Sequence, residues 1–202
     1  MSLREQKKVR ARSDILAATR TLIGRKGYES TTMRDIAEAA KLSYQTLYNY
    51  FPSKAQIVQA MLSADVARID ARFTAIVGGS GDLTGKLHQL IKQSFDLIAH
   101  RERALWREIV LDVLKQSSEF MALMALIDSR GHQALQLLLR NAQRDGELDP
   151  YVDADLVAHT LYSITDFAFL RFVLEPNLSK VVVLKTLRNQ VELLVQPYLR
   201  TT

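Results

Sequence analysis

The sequence predicts an all-α chain of about nine helices, with three short helices in front and a larger helical domain behind. Three observations carry this expectation. Nearly every segment repeats its apolar residues at three- and four-residue spacing. Alternating strand patterns joined by turn pairs are missing. The charge is uneven: residues 1–63 hold 11 Lys and Arg against 5 Asp and Glu, while residues 64–202 hold 16 against 17. The whole positive excess therefore sits in the first third, as in a polyanion-binding module joined to an ordinary domain. A merely solvated basic surface would give the same count.

Residues 10–25 place Ile15, Ala18, Thr19, Leu22 and Ile23 on one stripe, with Arg10, Arg12, Arg20 and Arg25 mostly off it. Gly27 ends this first helix. The second runs from about Thr32 to Ala40, and Thr32 with Asp35 resembles a capping box. The third follows Ser43, a good N-cap, and stops before Pro52. The fourth starts at Ser53 and carries Ile57, Val58, Met61, Leu62, Ile69, Phe73 and Ile76. Gly78-Gly79-Ser80-Gly81 reads as a loop. It fails as a phosphate cradle, because no strand precedes it and no Lys-Ser/Thr closes the spacing. Further helices are expected at 82–100, 102–115, 117–145, 153–174 and 179–199. Gly131 costs the long one about 1 kcal/mol relative to Ala. Pro150, Pro176 and Pro197 punctuate the remainder.

The composition narrows the function classes. In 202 residues, 48% are hydrophobic and 24% charged, ordinary globular values. The absence of Cys excludes disulfides, zinc ribbons, iron–sulfur clusters and thiol nucleophiles. No apolar run approaches about 18 residues, so no membrane span is expected. The N-terminus is too charged for a signal peptide, and a cytoplasmic location is expected. The four His residues show no metal-ligand spacing. No nucleophile motif, carboxylate pair or cofactor loop appears, so neither an enzyme nor a cofactor is expected.

Residues 32–51 carry the distinctive chemistry. Two short helices joined by three or four residues must cross steeply, the helix-turn-helix arrangement. Ile36, Ala37, Ala40, Leu42 and Leu47 can form the small core that fixes the angle. Subtracting that core leaves Tyr44, Gln45, Thr46, Tyr48 and Asn49 on the third helix, with no acid among them. An acid-free polar face suits a phosphate-lined groove. From Ile15 to Met61, and above all in Thr46-Leu47-Tyr48 followed by Tyr50-Phe51, Ser53 and Lys54, the chain resembles the DNA-binding half of the tetracycline-repressor family. The resemblance implies that Arg34, Tyr44, Gln45 and Asn49 read base edges, with Arg suited to guanine and Gln to adenine. It implies that Thr32, Thr46, Tyr48, Tyr50 and Lys54 grip phosphates. Arg4, Lys7, Lys8, Arg10 and Arg12 form a basic arm that could add backbone or minor-groove contacts. Other roles are open: ring packing for Tyr48 and Tyr50, pairing of Arg34 with Asp35 or Glu38, and a solubilising tail for the arm. Two positions depart from the family. Lys41 stands in the turn where many members carry Gly, and Gln45 stands where many carry Gly.

The same resemblance implies the division of labour: a DNA-binding domain over 1–52, a connecting helix over 53–78, and a ligand-binding and dimerisation domain over 79–202. Candidates for an apolar sensor pocket are Phe95, Ile98, Trp106, Ile109, Phe120, Met124, Tyr162 and Phe169, with Asp166, Thr165, His88, Glu108 and His159 for polarity. Plain core packing is the rival role for each. The last two helices are the homodimer candidates, with Leu156, Leu161, Ile164, Phe167, Leu170 and Phe172 on one and Val181, Val182, Leu184, Leu187, Val191, Leu194, Val195 and Tyr198 on the other; completion of the monomer core is the rival role. Leu161, Ile164, Leu184, Leu187, Val191, Leu194 and Val195 are expected at that interface. The implied partners are double-stranded DNA carrying a palindromic operator, a small apolar or amphipathic effector, and a second copy of the chain, with no membrane. The implied activity is repression released by the effector. The alternative is an effector-independent regulator or activator.

Overall fold

A computed structural model describes residues 2–96, 103–114 and 118–200. Among them lie nine α-helices: α1 (Leu3–Lys26), α2 (Met33–Ala39), α3 (Tyr44–Tyr50), α4 (Lys54–Gly78), α5 (Leu83–Asp96), α6 (Arg103–Leu114), α7 (Ser118–Arg144), α8 (Ala154–Leu174) and α9 (Lys180–Val195). No strand occurs among the described residues. The chain forms two compact units, Met1–Asp65 with Ile98–Leu123, and Val66–Leu97 with Met124–Thr202. The division falls inside α4 and α7. A 25-residue helix is about 37 Å long. Its two ends can therefore serve different cores.

In the first unit, α1 begins well before its apolar stripe. Ser2 caps it, and the Glu5 carboxylate accepts from the Ser2 amide at 2.6 Å, completing a capping box. The basic arm is thus the exposed first half of α1 rather than a loose tail. The Arg12 guanidinium lies 4.5 Å above the Phe51 ring. The core gathers Ile15, Ile36, Ala37, Leu47, Phe51 and Ile57 from α1 to α4. The Arg20–Asp65 ion pair adds a tie from α1 to α4, with Asp65 buried. Trp106, in α6, is buried in this unit.

In the second unit, α9 packs on α5 and α8. Leu87, Ala158, Leu161, Leu187, Val191 and Val195 are almost fully buried. The end of the chain returns to the turn after α7: the Asp149 amide donates to the Tyr198 carbonyl and the Arg200 amide to the Glu147 carbonyl, both at 2.9 Å. By length and composition alone α8 is long and apolar enough to cross a membrane, a test that core helices also pass. Its apolar residues face two ways. Leu161 and Phe172 are buried, whereas Leu156 and Phe167 are exposed, and Asp155, Asp166 and Arg171 interrupt the run. That is the pattern of a helix with a second apolar side.

Candidate nucleic-acid interface and ligand cavity

The recognition region is assembled by local hydrogen bonds. The Thr32 hydroxyl accepts from the Asp35 amide at 3.2 Å, and the Asp35 carboxylate accepts from the Thr32 amide at 2.7 Å. The Lys26 ammonium and the Thr32 hydroxyl also donate to that carboxylate, each at 2.7 Å. These bonds, led by the one from Lys26, hold the Asp35 carboxyl well below the usual range. Thr32, expected at a phosphate, thus spends its hydroxyl proton on the cap of α2. Asp35 is taken by Lys26 and Thr32, and Arg34 stands exposed.

The turn after α2 is closed in the Schellman manner. The Leu42 amide donates to the Ala37 carbonyl at 2.9 Å, and the Lys41 amide to the Glu38 carbonyl at 3.0 Å. Lys41 occupies the left-handed region at φ 56, among the described residues the only non-glycine at positive φ. Leu42 folds back onto the core beside Ile36 and Ala37. The left-handed residue sets the crossing of α2 and α3.

The Ser43 hydroxyl caps α3, accepting from the Thr46 amide at 3.0 Å, and its oxygen lies 2.7 Å from the Thr46 hydroxyl. Leu47 and Phe51 anchor the helix in the core. The opposite face is open. The exposed Tyr44 and Tyr48 rings stack with centroids 6.2 Å apart. Gln45 Nε2 donates to Asn49 Oδ1 at 3.2 Å. Both pairs lie one helical turn apart and hold each other in place. Tyr50 is half-buried against the core, so its ring is partly structural; Tyr48 is not. Lys54, expected at a phosphate, stands at the start of α4. Its ammonium donates to the Tyr28 carbonyl at 2.6 Å and lies 4.0 Å over the Tyr28 ring. Burial there lowers its pKa. It ties the α1–α2 turn to α4.

The second unit contains a cavity of about 80 Å³. Of the expected residues, Tyr162, Thr165, Asp166 and Phe169 line it. Phe95 is buried, with its ring 5.8 Å from that of Phe169. Trp106, also expected at the pocket, belongs to the first unit and is buried there. His88 lies in a separate groove formed by α5 and α9. His159 is exposed, its ring 5.7 Å from that of His132. Ile98, and the side chains of Glu108, Ile109, Phe120 and Met124, lie outside the described residues. The sequence reading missed Asp128, whose carboxylate accepts from the Tyr162 hydroxyl. It also missed Gly131 as a wall: a Cβ there would meet the Tyr162 ring at 3.6 Å. An acid and a glycine one turn of helix apart carry no periodic signal. Among the described residues, no group of three or more His, Cys, Asp or Glu could hold a metal ion.

The expected dimer residues differ in how far the protomer itself covers them. Leu161, Leu187, Val191 and Val195 are buried in the protomer's own core, and Ile164, Leu184 and Leu194 are half-buried. The apolar side chains left exposed on α8 and α9 are Leu156, Phe167, Val181, Val182 and Leu193.

Residues 15–61 match the bacterial regulatory proteins of the tetR family, and residues 77–176 match a tetracyclin repressor-like C-terminal domain. The chain is 28% identical over 149 residues to the HTH-type transcriptional repressor KstR2 of Mycolicibacterium smegmatis, covering 72% of this chain and 71% of that one. It is 24% identical over 157 residues to the HTH-type transcriptional regulator UidR of Escherichia coli K12, covering 76% and 77%. Among solved structures, a TetR transcription regulator from Haloarcula marismortui superposes with a TM-score of 0.77 at 18% identity, over 95% of this chain and all of that one. At that identity the likeness concerns the fold.

Proposed function

The chain belongs to the tetR family of bacterial regulatory proteins, and from that premise we propose that it is a homodimeric transcriptional repressor whose hold on a palindromic operator is released by a small molecule. The carrying observation is the exposed, acid-free face of α3, where Tyr44, Gln45, Tyr48 and Asn49 stand together on a capped helix anchored by Leu47. Side chains of this kind pair with base edges and phosphates without repelling the duplex. Two copies place two such helices about 34–36 Å apart on a palindrome. The exposed apolar residues of α8 and α9 support the dimer. The protein works in the cytoplasm, as a regulator and not as an enzyme.

The effector site is the cavity of the second unit. Its wall includes Val66, Ile69 and Phe73 of α4, the helix that follows the recognition helix. An occupant that prefers one setting of α4 shifts the population toward it, and operator affinity falls by that preference. The cavity is smaller than the roughly 300–1,000 Å³ of ordinary ligand pockets. That size favours the second reading, a regulator that needs no effector.

Fluorescence anisotropy on duplexes from the DNA flanking the gene tests the DNA reading. A preference of about tenfold or more for one palindromic segment over a scrambled duplex is expected at moderate salt. Equal affinity for both refutes it. A compound that binds equally well with and without operator would remove the release mechanism.

A further inference from the structure

We propose that the cavity takes an organic monocation, an ammonium carried on a short apolar body; this rests on reading the cavity as the effector site. The lining is apolar, with Ile69, Phe73, Leu90 and Phe169 around it, yet two carboxylates share it, Asp128 from α7 and Asp166 from α8. Arg130 also lines the cavity, but it lies 3.4 Å from Asp70, so its charge is already matched. The two acids are not matched in this way. Asp128 receives one hydrogen bond, from the Tyr162 hydroxyl. Asp166, at the solvent edge, has no hydrogen-bonding partner among the described residues.

Two carboxylates against an apolar wall are costly unless a positive charge joins them. The apolar surroundings raise both carboxyls above their ordinary values, although Asp166 keeps part of its surface in solvent, and Asp128 raises Asp166 further. A neutral guest leaves that cost in place and an anion adds to it. A cation relieves it. The rings of Phe73, Tyr162 and Phe169 in the same lining favour a cation over water on their faces. The space is about 80 Å³. It fits a compact head group, and the apolar residues receive the alkyl chain.

The test uses three probes of one shape and three charges: butylammonium, butan-1-ol and butanoate. Each is titrated into the full-length protein and followed by NMR at the Gly131 amide. Butylammonium is expected to bind about tenfold or more tightly than butan-1-ol, with butanoate weakest. Asp166→Asn and Asp128→Asn should each cut that advantage and leave butan-1-ol unchanged. Asp166 is exposed, so its variant keeps the fold. Equal binding of butylammonium and butan-1-ol to the unaltered protein overturns the charge preference and leaves the effector site standing. Tightest binding of butanoate overturns it in favour of Arg130. If none of the three perturbs a cavity amide, the effector-site reading fails and this proposal fails with it.

Discussion

Replacing Lys41 with Gly should stabilise the first unit. Lys41 sits at φ 56 in the closing turn of α2, with the Leu42 and Lys41 amides bonded back to Ala37 and Glu38. An L residue in the left-handed region costs about 1–2 kcal/mol, because its Cβ crowds the following carbonyl. Glycine escapes that cost but loses more backbone freedom on folding, about 0.4–1 kcal/mol. The Lys41 side chain is exposed, so little packing is lost. The net gain is about 0.5–1 kcal/mol. For a chain of this size that raises the unfolding midpoint by about 1–4 °C. The single Trp, Trp106, is buried in the same unit, so its emission reports this transition. Lys41→Ala is the control. Alanine keeps the Cβ, so its midpoint should stay within about 0.5 kcal/mol of the unaltered protein. If Lys41→Gly melts no higher than Lys41→Ala, the turn carries no left-handed strain and the reasoning is wrong.

Further outcomes follow from the same structure. Tyr44→Ala and Gln45→Ala should each weaken operator binding by about 1–3 kcal/mol and relax base preference in anisotropy titrations, an equal loss on scrambled DNA being the contrary result; Gln45→Ala and Asn49→Ala should be non-additive because the two side chains are bonded. Arg20→Ala removes one partner of the buried Asp65 and should cost about 1–2 kcal/mol in a denaturation followed at Trp106, less than a fully buried pair because Arg20 is partly exposed; an unchanged midpoint would show that this ion pair contributes nothing. The lowered pKa of Asp35 means that its contribution is present above the ordinary carboxyl range and is lost as pH falls through the lowered value, so Asp35→Ala should flatten the acid limb of the stability profile. The raised carboxyls of Asp128 and Asp166 act oppositely: the folded state binds more protons, stability falls as pH rises through their values, and Asp128→Asn should raise the urea midpoint at neutral pH. Gly131→Ala should stabilise by about 1 kcal/mol, since the new methyl makes an ordinary contact with Tyr162 at 3.6 Å, while weakening butylammonium binding by narrowing the cavity; a destabilised variant would mean that the ring cannot accept it.

What could be read along the chain was local. The caps at Thr32 and Ser43, the left-handed Lys41, the Leu47 anchor and the open face of α3 each depend on residues within a few positions of one another. The capping box of Ser2 and Glu5 was equally readable and would have carried α1 back to its true start. Packing between distant segments settled the rest. Periodicity puts Leu187 and Val191 on one stripe and Val181 and Val182 nearby, but it does not say which side the protomer's own core covers. Nor does it bring Asp128 to Tyr162, turn the Lys54 ammonium onto Tyr28, or assign Trp106 to the first unit. Each of these depends on the neighbour that long-range packing supplies, because a side chain's environment is made by residues far from it in sequence.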